Sequence, residues 1–143
     1  VYGPPIILNK IDPQRGPIPF ILSELFLKNK KKIIFNSGSD FEASFTFIDD
    51  ITIVIEKMIK MKKFKFPTFH FGSGKNIKLK EIINFINKNY KNKKIISGPG
   101  YAPWSNDSVI RGPMITSNKI KFYKPKTDIK LGIKKYIKYI SNI

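Results

Sequence analysis

Apolar and polar positions along these 143 residues fall into short blocks whose period switches between helix and strand. Ile18, Ile21, Leu22, Leu25 and Phe26 recur at helical spacing, which predicts a helix between the Pro/Gly/Asp loop of residues 9–19 and Asn29. Lys32-Ile33-Ile34-Phe35 reads as a short strand, closed by the Gly/Ser/Asp turn that follows. Residues 44–47 then alternate with a period of two, Phe45 and Phe47 inward, Ser44 and Thr46 outward. Asp49 and Asp50 come next, directly before Ile51, Val54, Ile55, Met58 and Ile59 at helical spacing, with Glu56 four residues before Lys60. An Asp in that position is expected to cap free backbone N–H groups and to suit the positive end of the helix dipole.

The second half repeats the alternation. Residues 61–65 form a basic turn, and residues 66–71 an aromatic strand ended by Gly72-Ser73-Gly74. Leu79, Ile82, Ile83, Ile86 and Tyr90 mark a helical face, and residues 94–96 a strand. Residues 97–113 make a long loop carrying Tyr101, Trp104 and Arg111, and residues 117–122 a short helix or turn. Thr127 or Asp128 is expected to cap a last helix with Ile129, Ile133, Tyr136, Ile137 and Ile140 inward. Strands alternating with helices predict an α/β fold, one domain over residues 1–143, without internal repeat or linker.

Composition and charge change this picture in four ways. Hydrophobic content of 41% with 12 Phe is that of a packed chain, not a disordered one. The absence of cysteine excludes a disulfide framework and thiolate metal sites. The apolar runs are short and broken by Lys, so no signal peptide or membrane span is visible, and a cytoplasmic protein is expected. The formal charge of +17 invites a polyanionic partner. Yet only Arg15 and Arg111 are Arg among 27 basic residues, and phosphate- and base-reading surfaces lean on the planar Arg fork. A solvated Lys-rich surface is the better account, and a small basic nucleic-acid-binding module the rival one.

Most motifs with a chemical ring to them reduce to structure. Gly72-Ser73-Gly74-Lys75 lacks the P-loop's other requirements, since Phe69 and Asn76 stand where Gly and Ser/Thr belong. The dinucleotide glycine pattern fails at Ile77, so a tight turn is the better reading. His70, the only histidine, has no carboxylate or second ligand near it in sequence. Asp49-Asp50 has no partner spaced for acid–base or metal work. Asn106-Asp107-Ser108 matches a glycosylation acceptor but lacks a secretory signal. Arg111 stands apart: in a long loop with Trp104 and Tyr101 it is either a fork for a diphosphate or a surface arginine.

Several of these segments, in order, resemble the NAD-dependent epimerase/dehydratases, the extended short-chain dehydrogenase/reductases that act on nucleotide sugars. Val1-Tyr2-Gly3-Pro4 resembles the family's Val-Tyr-Gly-Pro, and residues 16–21 its next helix start. Lys32 to Gly38 is similar to the strand bordering the nucleotide base. Ser44-Phe45-Thr46-Phe47-Ile48-Asp49-Asp50-Ile51 resembles the signature of the family's second half. Phe69-His70-Phe71-Gly72-Ser73-Gly74, Leu79-Lys80-Glu81-Ile82 and Tyr123-Lys124-Pro125 with Gly132 follow the family's later motifs.

The resemblance implies the C-terminal, substrate-binding portion of an extended Rossmann-type enzyme, with the N-terminal cofactor half missing. The family's glycine-rich loop and Tyr-x-x-x-Lys pair would lie upstream, so no catalytic residue is assigned here. Gly-Pro-Pro directly after Val1-Tyr2 accords with a chain expected to continue upstream. Val1 and Tyr2 would border NAD or NADP, itself bound mainly by the missing half; Ile34, Phe35 and Arg111 would meet a nucleotide-sugar substrate. The full-length enzyme is expected to be a homodimer. Ala43 stands where most family members place an Arg, residues 98–113 lack the usual Arg-Pro-Gly-Asp run, and Lys78 replaces a Ser/Thr cap. Ala43 keeps open a reductase or hydroxysteroid-type dehydrogenase of the same fold. Residues 66–71, deprived of a sheet neighbour, would leave an aromatic edge and a marginal, aggregation-prone chain.

Overall fold

A glycine and a proline open the first helix, as proline's fixed φ and missing N–H favour. The computed structural model describes residues 1–4, 16–61, 63, 68–105, 113–114, 116 and 124–142. Helix α1 (Pro17–Leu22) runs into a π-helical turn (Ser23–Leu27), in which the Lys28 N–H reaches back to the Ser23 carbonyl. Then come β1 (Lys32–Phe35), β2 (Glu42–Ser44), α2 (Ile48–Ile59), β3 (Asn76–Lys78), α3 (Leu79–Asn89), β4 (Lys94–Ser97) and α4 (Ile129–Ser141).

The strands form two small sheets. β1 pairs in parallel with β4, Ile33 opposite Ile95 and Phe35 opposite Ser97. β2 pairs antiparallel with β3. One side of β4 is closed by a side chain: the Asn87 amide on α3 donates to the Ile95 carbonyl and accepts from its N–H, at 2.9 and 2.8 Å. A single amide thus satisfies both main-chain groups of Ile95, as a neighbouring strand would. The turn before β1 is pinned in a similar way. Lys93, buried, donates to the Asn29 side chain and the Lys30 carbonyl, holding Asn29 at a φ of 52°.

The core lies where α1, α3 and α4 meet. Ile18, Ile21, Leu22 and Leu25 pack with Ile82, Ile86, Ile133 and Tyr136, all close to fully buried. The helical faces expected for α1, α3 and α4 are the buried faces found. Asp128 caps α4, accepting from the Leu131 N–H at 2.8 Å. At the start of α3, Glu81 accepts from the Lys78 N–H; Lys78 has no side-chain acceptor to return the bond.

Four expectations are corrected. Asp50 does not cap its own helix. Its carboxylate is 1% exposed and accepts the N–H groups of Lys126 and Thr127, at 3.1 and 3.0 Å, from the approach to α4. Phe47 holds the N-cap position of α2 without a side-chain bond, while Asp49 and Asp50 keep the dipole-favoured first turn. Thr46 is buried, not outward, because Val1–Gly3 lies beside it: the Tyr2 N–H donates to the Thr46 carbonyl, and the Ile48 N–H to the Tyr2 carbonyl. Residues 68–71 are not a strand; Phe69 and Phe71 pack instead on Val54 of α2. Finally, α2 does not bury its whole apolar pattern, since Ile55 and Ile59 stand 50% and 76% exposed.

Candidate functional site

β1 pairs in parallel with β4 on one edge, and no described strand joins its other edge. Lys31 and Phe35 turn their carbonyls to β4. Alternation in a parallel ladder therefore turns the main-chain groups of Lys32 and Ile34 the other way. A cleft of about 710 Å³ runs along this edge, within the size range of small-ligand sites. Its walls come from β1, from the α1–π segment through Phe20 and Glu24, and from the loop after β4 through Pro103 and Trp104.

Three aromatic rings make the apolar wall. Phe20 lies 5.9 Å from Phe35 and 5.6 Å from Trp104, and Phe35 lies 5.7 Å from Trp104, all tilted or edge-on. Such mutual packing holds each ring at fixed angle and offers flat apolar surface to a planar guest. Gly38 (φ 119°) is what lets Trp104 reach this position. A Cβ there would come within 2.9 Å of the Ala102 carbonyl oxygen and 3.2 Å of the indole ring. Ser37 fixes the same loop, its hydroxyl donating to the Ala102 carbonyl at 2.6 Å. The Trp104 indole N–H is buried and meets no acceptor among the described residues, so packing holds the ring rather than a hydrogen bond.

The polar part of the cleft is charged. Lys30 and Lys32 line it with Glu24. Glu24 is buried in the π turn and takes one ammonium on each oxygen: Lys28 Nζ on Oε1 and Lys30 Nζ on Oε2, both at 2.5 Å. The hydrogen bond from Lys28, then that from Lys30, holds its carboxyl below the usual range, so it is ionised near neutral pH.

The sequence-derived site residues separate in space. Ile34, 60% exposed, and half-buried Phe35 share the cleft with the aromatic wall. Arg111 lies outside the described residues. Val1 is 72% exposed, but Tyr2 is buried, its ring against Phe47 and its hydroxyl turned to the carbonyls at the start of α4. Gly132 makes that possible, since a Cβ there would fall 1.9 Å from the tyrosine oxygen. Burial, then Asp128 and Asp50, raises the Tyr2 phenol well above its ordinary pKa. Phe20 and Glu24 were missed as site residues. One lay hidden in a helical face and the other among Lys residues, and only the turn into β1 brings them to Phe35.

The glycine loop is occupied by its own chain. The Gly72 N–H is directed at the Thr116 hydroxyl, and the Gly74 N–H donates to the Met114 carbonyl at 3.0 Å. His70 is exposed. No cluster of three or more metal-ligating side chains occurs among the described residues, and no described helix is long and apolar enough to cross a membrane.

No protein-family model and no curated protein matches the chain. Solved structures do. The NAD-dependent NDP-hexosamine 5,6-dehydratase TunA, involved in tunicamycin biosynthesis, superposes with a TM-score of 0.70 at 16% identity, over 99% of this chain and 43% of its own. A GDP-6-OMe-4-keto-L-xylo-heptose reductase from C. jejuni gives a TM-score of 0.57 at 20% identity, over 90% of this chain and 43% of its own. The chain is thus similar in its α/β fold to these two enzymes, and spans less than half the length of either.

Proposed function

We propose that this chain is the substrate-holding part of an NAD-dependent enzyme that modifies nucleotide sugars, and that the cleft along β1 takes the nucleoside diphosphate. The observation that carries this reading is the cleft itself: an aromatic wall for a planar base, main-chain groups at Lys32 and Ile34 that no described strand takes up, and lysine at the rim. The neighbours in fold support it, both being named for work on nucleotide-linked sugars and one as NAD-dependent.

Each feature has a share in the chemistry. The Phe20–Phe35–Trp104 wall stacks a base, and such contacts contribute roughly 1–3 kcal/mol each. Lys32, at the rim, attracts a dianionic diphosphate, helped by the +17 charge of the whole chain. Fixing the base and diphosphate in this way orients the sugar beyond them, as productive geometry requires.

NAD would supply the hydride step. Among the described residues, however, nothing makes a dinucleotide cradle: the glycine-loop amides at Gly72 and Gly74 are directed at Thr116 and Met114, and Tyr2 is sealed in the core. Of the two residues expected to border the cofactor, Val1 is exposed and Tyr2 is not. On this reading most of the nicotinamide site, and the proton-moving pair, belong to a further half of the enzyme. Dehydration, epimerisation and reduction are all open to such an enzyme.

The reading is tested by titrating the 143-residue chain calorimetrically with nucleoside diphosphates and, as a control, inorganic diphosphate. Nucleoside diphosphates should bind and the control should not. Ile34→Glu, at an exposed position, should keep the melting temperature and weaken nucleotide binding about tenfold through charge repulsion. Equal binding of the inorganic ion, or an unaffected Ile34→Glu variant, would sink the assignment.

A further inference from the structure

The cleft carries one carboxylate among the described residues that line it, Glu24, and packing alone gives no reason for a charge there. Glu24 follows Phe20 by four residues on a continuous helical segment, so the carboxylate and one wall of the aromatic slot are neighbours, roughly a helical turn apart. Burying a carboxylate is costly unless it is paired, and here two lysines have been recruited to hold it ionised. A carboxylate offers about four lone-pair sites, so two ammonium groups leave capacity for further donors. Lys30, which lines the same cleft, places a donor beside these acceptors.

An acceptor pair flanked by a donor complements one nucleobase better than the others. Guanine shows, along one edge, the O6 acceptor and then the N1–H and N2–H donors. Uracil and thymine show one N–H between two carbonyls, so a carbonyl would face the carboxylate. Adenine and cytosine place a ring-nitrogen acceptor beside their single amine. We propose that the Glu24–Lys30 pair reads the base in the cleft and selects guanine, Glu24 accepting from N1–H and N2–H and Lys30 donating to O6. This rests on the reading of the cleft as a nucleoside diphosphate site.

The test is calorimetric titration of the 143-residue chain with GDP, UDP, dTDP and ADP, beside the variants Glu24→Gln and Lys30→Met. GDP should bind at least about tenfold more tightly than UDP, the scale of discrimination a paired contact to a base edge gives. Glu24→Gln turns one acceptor into a donor and should remove that preference, bringing the ratio of GDP to UDP affinity to about one. Lys30→Met leaves Glu24 its bond to Lys28, so it keeps the proposal testable if Glu24→Gln melts early, and it too should lower GDP affinity selectively. Equal affinity for all four nucleotides, or a GDP preference that survives both variants, overturns the base-reading role and leaves the cleft assignment standing. No binding of any nucleotide overturns both.

Discussion

Helices α2 and α4 differ by one residue in length, and both carry isoleucine at helical spacing, yet they end in opposite circumstances. In α4, Ile133, Tyr136, Ile137 and Ile140 all face the shared core with α1 and α3. In α2 only Val54 and Asp50 are buried, Phe69 and Phe71 cover one side, and the line from Ile55 to Ile59 is covered by no described residue. An amphipathic stripe states that a helix has a face to bury; it does not state what lies opposite. The two helices are tied together by Asp50, whose carboxylate holds the Lys126 and Thr127 amides just ahead of α4.

The sharpest way to break this contrast is to truncate both stripes. Ile137→Ala on α4 should cost about 2–5 kcal/mol, the range for emptying a packed core position, whereas Ile55→Ala should stay within about 0.5 kcal/mol. Urea midpoints at unchanged slope measure both. If Ile55→Ala costs as much as Ile137→Ala, α2 has a cover in solution and the contrast fails.

Next in size is the tie. Asp50→Ala leaves two amides without their acceptor and should destabilise by roughly 1–3 kcal/mol. Amide exchange should rise first at Lys126 and Thr127, before the centre of α3. Uniform acceleration along the chain would mean that Asp50 is an ordinary core residue rather than a clamp between two helices.

The smallest effect concerns alkaline pH at the α4 end. Burial, then Asp128 and Asp50, keeps the Tyr2 phenol neutral in the folded chain at a pH where the unfolded chain ionises. Its folded pKa is raised. Stability is therefore fully present below about pH 10, the ordinary tyrosine value, and falls as pH climbs beyond it toward the folded value. Tyr2→Phe should flatten part of that fall, read from melting curves between neutral and strongly alkaline buffer. An identical alkaline profile in wild type and variant would show that the phenol is open to water.

Much of the fold was legible in the residues. The faces of α1, α3 and α4, the strands at 32–35 and 94–96, and a cap at Thr127 or Asp128 follow from periodicity and capping chemistry, because these are local and each residue contributes to one repeating pattern. The short β2–β3 pair was not legible: three residues on each strand hold too few alternations to stand out. The site was half legible. Ile34 and Phe35 came from the order of motifs, while Phe20, Trp104 and Glu24 converge from segments far apart in the chain, and no local pattern records such a meeting.

Local residue order was enough to say which positions seek burial and that the chain alternates strand and helix. The folded arrangement alone settled which faces found a partner, that Asp50 serves a distant loop instead of its own helix, and that three aromatics close on the edge of β1 away from β4. Periodicity is set by backbone geometry within a few residues, whereas the partner of a carboxylate or an aromatic ring depends on how the chain folds back on itself.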